Sequence, residues 1–204
     1  MLKRHHTPSY VRAKLKQIVF QKRNPSAPWL VPRSIEILDQ IIRRTDSCFE
    51  FGSGRSSLWL ASRCARLISI EHDEIYFEII AEQLKHIDNA EILFRPLSDC
   101  NPPDSSYIGD FKSLDSGGID LVLNDGKLRD QVALLAVKKL APGGVLVIDN
   151  AERYLANGFD VPESLGSDVG NMSKIWREFS GLVEYWRRIW LSNGVTTTLI
   201  LFKP

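Results

Sequence analysis

Five apolar runs divide this 204-residue chain, and each one has polar or acidic residues at or just beyond its carboxyl end. They are Cys48-Phe-Glu-Phe, Arg66 to Asp73, Glu91 to Leu97, Ile119 to Gly126 and Val145 to Asn150. Helical apolar spacing lies between them, over Ser56–Arg63, Ile75–His86 and Lys127–Leu140. Strand–helix alternation with right-handed crossovers gives a parallel sheet in which all strand ends share one edge. Glu50, Glu71, Asp99, Asp125, Asp149 and Asn150 therefore converge there, each strand contributing its own polar end.

The first run leads straight into Gly52-Ser53-Gly54-Arg55-Ser56-Ser57. Gly52 and Gly54 allow a tight turn and let a ligand lie against bare backbone, and Ser56 and Ser57 suit the start of a helix. A strand, a glycine turn and a helix form the usual cradle for a polar ligand at a strand's carboxyl end. A dinucleotide fingerprint would need a third glycine where Ser57 stands. Glu50 would also repel a pyrophosphate, yet it suits a cationic or amine-bearing ligand. Glu71 ends the next strand, about 20 residues further on, where a carboxylate grips a ribose diol. The alternative for Glu71 is a capping or surface carboxylate. With Glu71 on the ribose, the adjacent His72 and Asp73 would line an adenine edge.

Glu-Phe-Gly-Ser-Gly-Arg-Ser resembles the first motif of the class I S-adenosylmethionine-dependent methyltransferases. The resemblance runs from about Ser34 to the carboxyl terminus and implies a Rossmann-like, doubly wound, mostly parallel seven-stranded sheet. Asn193-Gly194, flanked by two apolar runs, is a hairpin turn that would supply the sheet's C-terminal antiparallel pair. It implies S-adenosylmethionine bound by Glu50, Gly52, Ser53, Gly54, Ser56, Glu71, His72, Asp99 and Asp125, with Asp99 against adenine. Asp125, Asp149 and Asn150 would face a small-molecule methyl acceptor, with oxygen the expected target. Those three also resemble the Asp…Asp-Asn ligand set of metal-dependent catechol-type O-methyltransferases, which would take magnesium or calcium. That subgroup carries Asp-Ala-Asp-Lys after its fourth strand, whereas Asn-Asp-Gly-Lys stands here, one residue shorter. The sequence is closer to a related bacterial group for which no metal is assumed. The other role open to these residues is to hold the cofactor's ammonium and organise the following loop.

Arg129 and Arg153 would clamp an anionic substrate or form surface ion pairs, and Tyr154 would line the acceptor pocket. The segment 151–172 carries three glycines and reads as a lid or binding loop. Residues 1–33 form a separate basic arm, with no acid before Glu36, ahead of a methyltransferase domain over 34–204. Within the arm Val11, Leu15, Ile18 and Val19 make one helical apolar stripe, expected to face the core. The Pro-rich stretch 24–32 is read as an extended linker, and Ser34 as the cap of the next helix.

A net charge of +1 supplies no field for nucleic acid, and no apolar run nears the ~20 residues of a membrane span. Cys48, Cys64 and Cys100 lack metal-like spacing and read as reduced thiols of a cytoplasmic protein. Trp176, Trp186 and Trp190 suit core or dimer packing, so a homodimer is one expectation. Three other functions compete. They are a methyltransferase acting on RNA or another anionic macromolecule, an NAD-dependent oxidoreductase, and a non-catalytic binding module.

Overall fold

A computed structural model describes residues 7–97 and 105–204. Helix α1 (Pro8–Arg23) and helix α2 (Pro32–Ile41) precede an alternating series. The series runs β1 (Ser47–Phe51), α3 (Arg55–Ala61), β2 (Arg66–Glu71), α4 (Glu74–Leu84) and β3 (Ala90–Phe94). It continues with α5 (Ser106–Ser113), β4 (Ile119–Asn124), α6 (Arg129–Lys139) and β5 (Leu140–Asp149). Helix α7 (Lys174–Leu182) and the hairpin β6 (Arg187–Ser192) and β7 (Thr197–Phe202) complete it.

The seven strands lie in the order β3-β2-β1-β4-β5-β7-β6. The first five pair in parallel, and β7 slots antiparallel between β5 and β6. The fold class expected from the sequence is the one observed. Strand order reverses between β1 and β4, the place where open α/β sheets bind ligands.

Alternation along each strand feeds two cores. Phe49, Phe51, Val122, Leu146 and Ile148 pack on one face with Tyr107 and Phe111 of α5, Val132 of α6 and Trp176 and Phe179 of α7. Cys48, Leu121, Leu123 and Val147 pack on the other with Leu38 of α2, Trp59 and Leu60 of α3 and Leu84 of α4. Trp176 and Trp186 are thus core residues, and Cys48 and Cys64 are buried free thiols.

Several local expectations change. Helix α5 was not visible in the sequence, yet its Tyr107 and Phe111 are wholly buried. Residues 141–144 do not simply end α6; they open β5, whose register with β4 shifts between Ile119 and Leu121. Helix α2 begins at Pro32, because proline needs no amide partner in a first turn. Ser34 therefore lies inside that helix and donates to the Val31 carbonyl at 2.6 Å. The stretch before α2 is no free linker, since Leu30 and Val31 are buried and the Val31 amide donates to Thr198 Oγ1. The α1 stripe does not face the core. Val11, Leu15, Ile18 and Val19 are all exposed, because the sheet already has its covering helices and α1 lies outside them.

Segment 151–172 is pinned rather than loose. Glu152, fully buried, accepts from the Thr197 amide at 3.0 Å, from Thr197 Oγ1 at 2.7 Å and from Thr196 Oγ1 at 3.0 Å. Asn157 ties the segment to itself by donating to the Glu152 and Leu155 carbonyls.

Candidate active site

The turn after β1 is built on a close approach of two backbones. Gly52 has φ +89°, and a Cβ there would stand 2.9 Å from Gly126 Cα. A Cβ on Gly126 would stand 2.0 Å from the Tyr107 hydroxyl and 2.8 Å from the Gly52 nitrogen. The Asp125 amide donates to the Phe51 carbonyl at 3.0 Å, which locks the ends of β1 and β4 together. Gly54 differs. Its φ of 176° is extended backbone open to any residue, and nothing lies within 4 Å of where its Cβ would be. Gly52 serves the turn, while Gly54 leaves open space beside it.

A chain of hydroxyls joins the two strand-end acids. Ser69 Oγ donates to Glu50 Oε2 at 2.6 Å, and Ser57 Oγ donates to the same oxygen. Ser57 Oγ also accepts from the Gly54 amide at 3.0 Å. Ser53 Oγ lies 2.6 Å from Ser69 Oγ, and the Ser53 amide donates to Glu71 Oε2 at 2.9 Å. Ser57, which spoils a dinucleotide fingerprint, thus fastens the turn to Glu50. Ser69 was missed in the sequence, although a lone serine within Leu-Ile-Ser-Ile was its signal. Ser56 is buried at the start of α3.

Glu50 is completely buried, and its Oε1 has no partner. Burial raises its pKa to about 7, while the hydroxyls of its neighbours hold it down. Glu71 Oε1 already accepts the amides of His72 and Asp73, at 2.7 and 2.8 Å. With one amide on Oε2, a carboxylate's four lone-pair positions leave room there for one further donor. His72 packs edge-on to Tyr107, with ring centroids 6.1 Å apart. Asp73 caps α4 by accepting from the Tyr76 amide, which accounts for it structurally. Asp99 lies outside the described residues.

Arg129, at the start of α6, lies across the ends of β4 and β5. Its Nε donates to the Gly126 carbonyl at 3.0 Å. Its Nη2 donates to the carbonyl and Oδ1 of Asp125, both at 2.7 Å. Its Nη1 donates to the Asp149 carbonyl and, at 3.3 Å, to Asn150 Oδ1. A guanidinium has five N–H donors, and all five are used inside the protein. Leu128 and Asn150, flanking these contacts, both adopt left-handed backbone, with φ 48° and 51°, a conformation that asparagine tolerates and that costs a leucine about 1–2 kcal/mol.

Three threonines support the same corner from β7 and the turn before it. Thr198 Oγ1 donates to Asp149 Oδ1 at 2.8 Å, Asn150 Nδ2 donates to Thr196 Oγ1 at 2.7 Å, and Thr197 holds Glu152. The run Thr196-Thr197-Thr198 was a signal overlooked in the sequence. Burial, then the nearby Asp125 charge, pushes the Asp149 carboxyl well above the usual range. Burial also raises Asp125, against the opposing pull of Arg129.

Asp125, Asp149 and Asn150 do come together, as the sequence implied, and line a cavity of about 530 Å³. Tyr10, Lys14, Gln17 and Gln21 of α1 form one wall, with Trp29, Arg153, Glu163 and Thr196 around the rim. Helix α1, within the arm set apart in the sequence, thus contributes to the lining of this cavity. Tyr154 is not in this cavity. It lines a neighbouring one of about 440 Å³, stacked on Trp176 at 5.5 Å, and Arg153 borders both.

A divalent ion on the ligand set implied by the resemblance would have to share it with the Arg129 guanidinium, and like charges at that distance repel. Arg129 holds Asp125 Oδ1, Asn150 Oδ1 and the Asp149 carbonyl, while Thr198 holds Asp149 Oδ1.

No protein-family model matches the sequence. No curated protein matches it significantly either. Solved structures do share the fold. An O-methyltransferase from Bacillus cereus, in complex with S-adenosylhomocysteine, matches with TM-score 0.61 and 16% identity over 97% of this chain and 91% of its own. A Staphylococcus aureus protein assigned as a caffeoyl-CoA O-methyltransferase matches with TM-score 0.57 and 16% identity, covering 98% and 94%. A methyltransferase from Geobacter sulfurreducens matches with TM-score 0.55 and 16% identity, covering 97% and 89%.

Proposed function

We propose that this chain, whose fold is that of the class I S-adenosylmethionine-dependent methyltransferases, transfers a methyl group from S-adenosylmethionine to an oxygen of a small polar acceptor. The observation that carries the reading is the buried Glu50, with one unpartnered oxygen, wired through Ser69 and Ser53 to Glu71 around the turn at Gly54. An orphaned buried carboxylate oxygen calls for a donor, and the cofactor's cationic amino group is one. The open space at Gly54 would take the methionine part, and Glu71 Oε2 a ribose hydroxyl.

When bound, S-adenosylmethionine supplies an already activated methyl group, so the protein's work is alignment and exclusion of water. Asp125, Asp149 and Asn150 would face the acceptor, and the polar cavity wall from α1 would orient it. An oxygen acceptor must also lose a proton. Asp125 is the base proposed for it, because it lines the cavity with one carboxylate oxygen held by Arg129.

The experiment is transfer of a labelled methyl group from S-adenosylmethionine to a panel of polyols, hydroxy acids and phenols. Labelling of a hydroxyl compound, lost in Asp125→Asn, supports the reading. Labelling confined to amines overturns the choice of oxygen. A second reading draws on the solvent face of α1, where Arg12, Lys16, Lys22 and Arg23 accompany the exposed apolar stripe. That face suits an anionic macromolecule such as RNA. Salt-sensitive RNA binding that disappears on removing residues 1–23 would favour it.

A further inference from the structure

We propose that Arg129 is the internal counter-cation of the acceptor site, standing where a metal-dependent relative would chelate a divalent ion. The inference rests on the proposed function only in that it concerns the residues lining that cavity; Arg129 stands behind them, borders the neighbouring cavity with Tyr154, and is placed by geometry that no cofactor enters. A chelated ion would have to take oxygens of Asp125, Asp149 and Asn150 together. The guanidinium donates to Asp125 Oδ1, to Asn150 Oδ1 and to the main-chain carbonyl of Asp149, so an ion taking the second oxygens of the two carboxylates would lie against a fixed positive charge. It is held there from both sides. Its remaining donors go to the carbonyls of Gly126 and Asp125, and its ring-facing side lies 5.7 Å from the centre of Tyr154, a cation–π distance.

Its side chain is mostly buried, and a planar fork with five fixed donors suits a set of oxygens spread over two strand ends. The left-handed residues Leu128 and Asn150 bracket this arrangement in the chain, one preceding Arg129 and the other supplying one of its acceptors. The site therefore has a permanent positive charge of its own. Arg129 acts as a positioning residue, fixing the carboxylate of Asp125 at the cavity rather than touching the acceptor.

The test is titration of the intact protein with Mn²⁺, without S-adenosylmethionine or acceptor, read by electron paramagnetic resonance of free Mn²⁺. The wild-type protein should show no one-to-one site below millimolar concentration. Arg129→Met should acquire one, at least tenfold tighter than any wild-type binding, and Arg129→Met/Asp149→Asn should lose it. A one-to-one micromolar site in the wild type, abolished by Asp149→Asn, would overturn the proposal. So would a folded Arg129→Met protein that gains no site. The wild-type titration decides even if the variants fail to fold. Because it contains no cofactor, its outcome is independent of whether S-adenosylmethionine binds.

Discussion

Gly52 and Gly126 lie against each other so closely that neither can carry a side chain. A Cβ on Gly52 would sit 2.9 Å from Gly126 Cα, and one on Gly126 would sit 2.8 Å from the Gly52 nitrogen. The glycine turn after β1 and the turn after β4 are consequently one packed unit, placed where the strand order reverses. Gly126→Ala should unfold the protein or cost more than about 2 kcal/mol, since the Tyr107 hydroxyl must also move. Gly54→Ala should leave the melting temperature nearly unchanged, its backbone being extended and its surroundings open. The same change should weaken S-adenosylhomocysteine binding at least tenfold. Thermal unfolding and calorimetric titration of the two variants separate the roles.

Ser57→Gly would complete a dinucleotide-type glycine pattern. It should nevertheless destabilise the protein by about 1–3 kcal/mol, because the buried Glu50 loses one of its donors. It should not produce NAD binding. Gain of micromolar NAD affinity in this variant would contradict the role given to Glu50.

Glu50 sets a pH dependence. Folded, it keeps its proton up to about pH 7; unfolded, it releases it near 4.5. Between these values the unfolded chain binds fewer protons, so stability falls as pH rises through this window and levels off above it. The total is roughly 3 kcal/mol. Binding of the cofactor's ammonium group should run oppositely, tightening from pH 6 to pH 7.5 as Glu50 ionises. Glu50→Gln should flatten both profiles, which urea unfolding and calorimetry across that range would show.

Thr198→Val keeps the shape of the side chain but leaves Asp149 Oδ1 without its donor and the Val31 amide without its acceptor. The expected loss is about 1–3 kcal/mol, measured by chemical unfolding. An unchanged stability would mean that the entry to α2 is not tied to the site corner.

Much of this was legible because strands carry their message locally. Apolar runs ending in Glu50, Glu71, Asp125 and Asp149 gave the parallel sheet and its polar edge, and Asn193-Gly194 gave the hairpin. Less legible were features created by contact between distant segments. The identity of Ser69, Glu152 and Thr198 as buried partners depends on residues far away in the chain. Arg129 read equally as a substrate clamp or an ion pair; Asp125 and Gly126 lie four and three residues before it, but the two acceptors of Asp149 and Asn150 come from a strand end about twenty residues on, which no local pattern reveals. Helix α1 has the spacing of a core helix, but periodicity cannot tell that the face is left outside. Its other face, with Tyr10, Lys14, Gln17 and Gln21, turned out to wall the cavity.

The central claim is that the Glu50–Glu71 turn holds S-adenosylmethionine. Calorimetric titration of the wild type with S-adenosylhomocysteine, and separately with NAD, at pH 7.5 tests it most directly. The account predicts one micromolar site for S-adenosylhomocysteine, weakened at least tenfold in Glu71→Ala, and none for NAD. Folded protein that ignores S-adenosylhomocysteine, or that binds NAD in its place, would contradict it.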